Sequence, residues 1–212
     1  MSKIKRGRRQ LITGLGTSAA AIALGSAPAA AQTASAFQPA RHAEDGWFAN
    51  RPGKHRVILD TTTPEAIPDA VRFAGNLFTG NKAGYNVDDA DVAIVICLRH
   101  AATVYGYNDA LWSKYGRALR GTEAPGPAPT ANPHNSGERP PLSDLAKRGI
   151  QFMVCGTASR GAARRVAGAN GDADAVFKEI ETGLIPNARL VAAGVVGVTH
   201  AQEYGYSYLF VG

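Results

Sequence analysis

The chain has 212 residues, with 23 Lys or Arg against 17 Asp or Glu, and hydrophobic residues make up 45% of it, which is enough for a globular core. Five of the basic residues and none of the acidic ones lie in residues 1–31, so the rest of the chain carries 18 basic and 17 acidic side chains. This near balance argues against nucleic acid as a partner.

Residues 1–31 have the pattern of an export signal. Five basic residues are followed by a weakly apolar stretch, residues 11–24, which is shorter than the about 20 residues a membrane helix needs. Alanines at 29–31 fit a cleavage site, and the pair Arg8-Arg9 is similar to a twin-arginine signal, with an ordinary secretory signal as the alternative. We expect a periplasmic or secreted protein with no membrane span after cleavage.

The remaining residues suit one domain. Residues 32–54 predict a linker or N-terminal arm, with Trp47 and Phe48 held on the domain. From residue 55 to 212 strands alternate with helices, which predicts an α/β fold with a mainly parallel five-stranded sheet and helices on both faces. The predicted strands cover residues 55–60, 91–98, 150–155, 190–196 and 206–211.

Helical patterns lie between these strands. One begins near Pro68 and is expected to stop at Gly80, and another follows a cap at Asn108 or Asp109. The others cover residues 142–148, 157–168, 172–182 and 200–204. Residues 120–141, rich in Pro and Gly, predict an exposed arm or lid in which His134 is solvated.

Residues with reactive, charged or polar side chains follow two of the predicted strands. In open α/β sheets, ligands bind beyond the carboxyl ends of the strands, so the residues after both strands are expected at one edge. The nucleophile candidate is Cys155, and the binding candidates are Arg99, His100, Tyr105, Asn108, Gly156 and Thr157. A helix that starts at Gly156 would direct backbone N–H groups at an anion or thiolate.

Each of these residues also has a structural interpretation. Cys155 suits a small buried packing residue, since free cysteines are among the most buried residue types. Arg99 and His100 suit a solvated strand end, and Asn108 suits a plain helix cap. A disulfide between Cys97 and Cys155 would require the two strands to be neighbours with close Cα atoms.

The sequence lacks the motifs of several common types of metal site and enzyme. The five histidines are scattered, and no Cys or His pair has the spacing of a metal site. No dinucleotide-binding, P-loop or serine-hydrolase motif is present. We therefore expect neither a metal nor a cofactor.

Four stretches of the domain together resemble the DsrE/DsrF-like sulfur-relay proteins, in particular an exported branch of that family. Residues 70–77 are similar to the family's first helix, and residues 148–157 are similar to its cysteine strand. Residues 184–195 are similar to the segment that feeds its fourth strand, and residues 202–208 contain its closing Gln-x-x-Gly-Tyr turn. This chain has Ala158 where some members have a second cysteine, and residues 120–141 are not a core family feature.

The resemblance implies a three-layer α/β/α domain that assembles into a homo-oligomer, a trimer or hexamer. It also implies that Cys155 carries sulfur as a persulfide and exchanges it with a donor or acceptor protein. One hypothesis is therefore a periplasmic sulfur carrier. A second is a non-enzymatic oligomeric binding module for a small anionic or redox ligand, and a third is an enzyme that uses His100 as a base.

Overall fold

Five parallel strands form the centre of the structure, a computed structural model that describes residues 37–135 and 140–212. The strands lie in the order β4-β3-β2-β1-β5, and every neighbouring pair is parallel. Their bounds are His55–Thr61 (β1), Val92–Leu98 (β2), Gln151–Cys155 (β3), Ala188–Val191 (β4) and Ser207–Phe210 (β5). The predicted mainly parallel five-stranded sheet is confirmed.

Seven α-helices of the described residues cover both faces of the sheet. They are Gly46–Ala49 (α1), Ile67–Tyr85 (α2), Asp109–Arg120 (α3), Leu142–Lys147 (α4), Gly156–Ala167 (α5), Ala173–Thr182 (α6) and Gly194–Glu203 (α7), and a 3-10 helix spans His100–Gly106. Helices α2 to α6 contribute to a large core on one face, and α1 and α7 contribute to a smaller one on the other. The architecture is therefore three-layer α/β/α, as predicted.

The central strand β2 shows why the two layers differ in size. All seven of its residues are buried, as expected for a strand covered on both faces. Ile94, Ile96 and Leu98 enter the large core, whereas the smaller Ala93, Val95 and Cys97 enter the core under α7. The alternation of bulk along one strand thus fits a thick helical layer on one face and a thin layer on the other.

The path of the chain reverses once. From β1 to β4 each new strand is added on the same side of the previous one, and the connecting helices lie on one face. To reach β5, next to β1, the chain returns across the sheet, and the right-handed crossover rule then requires the opposite face, where α7 lies. Connections therefore leave β3 and β4 toward opposite faces, which opens a crevice between their carboxyl ends.

Helix α2 is longer than the sequence pattern suggested. It runs through Gly80 and ends at Tyr85, so the predicted stop at Gly80 is wrong. A glycine inside a helix costs only about 1 kcal/mol relative to alanine, and the neighbouring turns tolerate it. The helix ends instead at Asn86, which adopts a left-handed conformation with φ 52° and donates its N–H to the carbonyls of Asn81 and Lys82.

The segment after β4 also differs from its prediction. A strand over residues 190–196 and a short helix over residues 200–204 were expected, but β4 ends at Val191 and α7 begins at Gly194. Val195 and Val196 are exposed on this helix rather than buried in a sheet. The apolar run was misleading because small and β-branched residues suit a buried strand as well as a helix that packs closely.

The Pro-rich segment is anchored to the domain through Asn132. This side chain is fully buried and donates to the carbonyl oxygens of Tyr105 at 2.7 Å and Tyr107 at 2.8 Å. His134 is half-buried, with its ring 4.7 Å from that of Tyr105, so the prediction of a solvated His134 is wrong. The segment packs here because the asparagine satisfies two carbonyls that would otherwise be buried without partners.

The N-terminal arm is also attached by a buried residue. Pro39–Gly212 form one compact unit, in which Phe48 is fully buried and its carbonyl accepts a hydrogen bond from the Tyr206 hydroxyl at 3.2 Å. The predicted export signal, residues 1–31, lies outside the described residues. Among the described residues, none of the helices has the length and apolarity required to traverse a bilayer.

Burial of His134 predicts a pH-dependent stability. Burial lowers the pKa of His134 from its ordinary 6.5, partly opposed by the Glu65 charge. Below about pH 6.5 the unfolded chain therefore binds more protons than the folded one, and stability falls as the pH falls. In urea unfolding at about pH 7 and pH 5, we expect the wild type to lose more stability than His134→Phe. Equal losses in both proteins would contradict the packing of this ring.

Candidate functional site

Cys155 occupies the crevice between the ends of β3 and β4. It is the last residue of β3 and also the N-cap of α5, and it is 8% exposed. Its Sγ accepts the backbone N–H of Ala158 at 3.5 Å and that of Gly194 at 3.1 Å. One donor belongs to the first turn of α5 and the other to the first residue of α7, so two helix N-termini meet at one sulfur atom.

Two glycines allow this close approach. A Cβ on Gly194 would lie 2.6 Å from Cβ of Arg99 and 3.3 Å from Cβ of Cys155. A Cβ on Gly156 would lie 2.6 Å from the carbonyl oxygen of Val191, at the end of the neighbouring strand. Any larger residue at either position would push α7 or β4 away from the sulfur.

The predicted residues Gly156 and Thr157 hold the crevice together rather than contact the sulfur. The backbone N–H and the hydroxyl of Thr157 both donate to the carbonyl of Ala192, at 3.2 Å and 3.1 Å. These bonds tie the start of α5 to the loop that leads into α7. The N–H groups that reach Cys155 Sγ come instead from Ala158 and Gly194, which the sequence analysis missed.

Arg99 lies beside the crevice and is paired with a buried carboxylate. Its Nε donates to Oδ1 of Asp60 at 2.7 Å and its terminal nitrogen donates to Oδ2 at 2.8 Å. The Tyr208 hydroxyl also donates to Oδ2 of Asp60, at 2.9 Å. The Asp60 side chain is 1% exposed, and its hydrogen bond raises the pKa of Arg99. Arg99 therefore balances Asp60 and is not a free cation.

The second cysteine, Cys97, is fully buried next to the ion pair of Asp60 and Arg99. Burial, and next the negative charge of Asp60, raise the pKa of the Cys97 thiol well above its ordinary value, so Cys97 is a neutral thiol. Cys97 lies opposite Met153 in the sheet, which makes Cys155 its diagonal neighbour. Diagonal positions are about 7–8 Å apart, beyond the usual reach of a disulfide. Both cysteines are free thiols in the structure.

His100 and Tyr105 line a cavity of about 580 Å³ next to the start of α5. The wall from α5 contains Ala158, Gly161 and Arg165, so the residue that donates to Cys155 Sγ also borders this cavity. His100 has a left-handed backbone with φ 59°, which is uncommon for a residue with a Cβ. The cavity lies on the side of α3 and α5, whereas α7 covers the opposite face.

Asn108 is a helix cap. Its side-chain oxygen accepts the N–H of Leu111 at 3.1 Å, and its own N–H donates to the carbonyl of Gly183. It does not belong to the lining of the cavity next to α5. The structure therefore brings six of the seven predicted residues to this region, with Asn108 in a structural role.

Asp60 and Arg120 are charged residues of this region that the sequence analysis missed. Asp60 is a carboxylate at the end of a buried apolar strand, and an unusual charge in that position was the available signal. Arg120 carried no such signal, because helix surfaces commonly contain arginine. In the parts of the chain that the structure describes, no group of three His, Cys, Asp or Glu side chains is placed to hold a metal ion.

The Asp60–Arg99 pair provides a stability test. Asp60→Asn leaves the Arg99 guanidinium, whose side chain is 22% exposed, without its counter-charge, so we expect a loss of about 3 kcal/mol in urea unfolding. The control is Asp69→Asn, which breaks the exposed pair with Arg72 and should cost less than about 1 kcal/mol. Similar losses in both variants would show that the buried pair has no special role.

Comparisons with known proteins give no family for this chain. No protein-family model and no curated protein matches it. A solved structure that matches is a protein of unknown function, MTH1491, from Methanobacterium thermoautotrophicum, with 14% sequence identity and a TM-score of 0.43. The match covers 74% of this chain and 99% of the other. Since that protein is itself described as of unknown function, the functional argument rests on the geometry of this site.

Proposed function

We propose that the protein is an exported, DsrE-like sulfur carrier that holds sulfur on Cys155 as a persulfide. The observation that carries this proposal is the contact of Cys155 Sγ with the N–H groups of Ala158 and Gly194. Hydrogen bonds to an anionic acceptor are stronger than those to a neutral one, and helix N-termini favour negative charge. A sulfur with two such donors is suited to carry negative charge during transfer.

The location of Cys155 supports the same proposal. Ligands of open α/β sheets bind where neighbouring connections leave toward opposite faces, and β3 and β4 meet this condition. Cys97 lacks these features, since it is fully buried and burial raises the pKa of its thiol. The structure therefore distinguishes the two cysteines, and Cys155 is the one with access to the crevice.

The transfer step is an exchange without net oxidation. The Cys155 thiolate attacks the outer sulfur of a donor persulfide R–S–SH, and a new S–S bond forms at Cys155. The donor's S–S bond breaks, and its electron pair leaves with the thiolate R–S⁻, which gives the persulfide Cys155–S–SH. Delivery to an acceptor thiolate is the same reaction with the roles exchanged.

Export and assembly belong to the proposal as well. The pattern of residues 1–31 supports a periplasmic or secreted location. Edge strand β5 supports a homo-oligomer, because Tyr208, Leu209 and Phe210 are 41–53% exposed. Apolar side chains of this size on an edge strand favour contact with another chain.

The alternative function is a binding module for a small anionic ligand. The observation that favours it is the cavity of about 580 Å³, whose lining contains His100, Arg120 and Arg165 and no acidic residue. In this alternative Cys155 only packs the junction of β3 and α5. The two functions differ in whether Cys155 is chemically required.

The mass of the protein after exposure to inorganic polysulfide tests the sulfur carrier. We expect an increase of one sulfur atom that a reductant removes, as polysulfide gives one sulfur to Cys155 and leaves one atom shorter. Cys155→Ala should gain none, whereas Cys97→Ala should gain as much as the wild type. Loading of Cys155→Ala, or none in the wild type, would contradict the proposal and leave the binding module.

Gly194→Ala tests the role of the second N–H donor. The added Cβ would meet Arg99 and Cys155, so α7 must move and its N–H must leave the sulfur. We expect at least about tenfold slower persulfide formation, which corresponds to roughly 1.4 kcal/mol in the barrier. Gly75→Ala, in open space on α2, is the control and should load at the wild-type rate. Equal rates in all three proteins would show that the Gly194 N–H does not assist the reaction.

A further inference from the structure

The cavity next to α5 reaches from Ala158, whose N–H donates to Cys155 Sγ, to the cation of Arg165. Ala158, Gly161 and Arg165 line it from one face of α5, at spacings of three and four residues. The Arg165 side chain folds back along the helix, so that its Nη1 lies 3.9 Å from the position a Cβ on Gly161 would have. At 1.5 Å per residue, this guanidinium is about 9 Å along the helix axis from Cys155.

The charge of the cavity is positive. His100, Arg120 and Arg165 line it from three different elements, and Glu65, next to the lining residue Pro64, is the opposing charge that acts on Tyr105. In the described residues Arg165 forms no ion pair. Two arginines and a histidine around an open space favour an anion.

Two local features of the cavity wall favour a bound ligand. The Nε of Arg120 is buried and has no hydrogen-bond partner within residues 37–135 and 140–212, although its terminal nitrogen donates to the carbonyls of Ala124 and Gly126. Buried donors are normally paired, so an unpaired one at this wall favours an acceptor from a ligand. His100 has its left-handed backbone at the same wall, and such strain is concentrated at ligand sites.

The volume of the cavity indicates the size of the anion that it would bind. Its volume of about 580 Å³ is within the range of small-molecule sites, and it would hold roughly 20 water molecules. A bare inorganic anion would leave most of this space empty. An extended tripeptide spans about 10 Å, which is close to the rise of about 9 Å along the helix axis from Cys155 to the Arg165 guanidinium.

We infer that this cavity binds a small organic anion of tripeptide size, with its carboxylates at Arg120 and Arg165 and its sulfur end toward Cys155. Binding follows from the cavity alone, whereas delivery of sulfur to Cys155 rests on the proposed function. The sulfur donor is then a low-molecular-weight carboxylate-bearing thiol in its persulfide form, not a protein surface.

Calorimetric titration of the purified chain with reduced glutathione tests the inference. We expect saturable binding that Arg165→Gln weakens by at least about tenfold, since one charge-assisted contact is lost. The matched control is Arg164→Gln, which removes the same charge from α5 on the side facing α6 and should bind as the wild type does. Both positions are exposed, so both variants should unfold at the wild-type urea concentration.

The outcomes separate this inference from the proposed function. Cys155→Ala should bind glutathione as tightly as the wild type, because the cavity does not need the sulfur. No glutathione binding to a chain that loads polysulfide sulfur would overturn the inference and leave the carrier intact. Equal weakening by Arg164→Gln, or tight Arg165-dependent binding of thiosulfate instead of glutathione, would also overturn it, the latter by assigning the cavity to an inorganic anion.

Discussion

The position of α7 is the constraint on which the rest of the site depends. The four strands from β1 to β4 are added in one direction, so the chain reaches β5 only by returning across the sheet on the other face. Helix α7 must therefore start directly beyond β4, next to the end of β3. Gly194 is its first residue, and its N–H lies 3.1 Å from the Cys155 sulfur. The same reversal of the chain thus creates the crevice and supplies a donor within it.

The buried ion pair of Asp60 and Arg99 beside this crevice leaves no charge without a partner, which explains how the core of the sheet tolerates it. Asp60 receives two hydrogen bonds from Arg99 and one from Tyr208, so its charge is balanced and its oxygens have partners. The Arg99 stem also limits how closely α7 approaches, because only a glycine fits against it. Arg99 therefore belongs to the charged network and also packs against the first residue of α7 at the sulfur site. Cys97 lies below this network as a neutral thiol.

The start of α5 separates two different environments around Cys155. On one face α7 packs closely on the sheet through Gly194 and Gly197, which lie against Arg99 and Met153. On the other face Ala158 and Gly161 leave space, and the cavity they border is lined with positive charge. Small residues on α5 therefore have two effects, since Gly156 lets the helix start close to β4 and Ala158 and Gly161 leave an open volume beside the helix.

The sequence alone determined the α/β class, the junction of strand and helix at Cys155, and a cap of α3 at Asn108 or Asp109. These features depend on apolar runs, helix spacing and capping residues, which are all local. Only the tertiary structure decided that the apolar residues after β4 form a helix, and that Gly194 donates to Cys155 and Arg99 pairs with Asp60. The partners in each of these two contacts are 39 residues apart in the chain. Such contacts follow from the order of the strands and the face chosen by each crossover, and no local pattern specifies them.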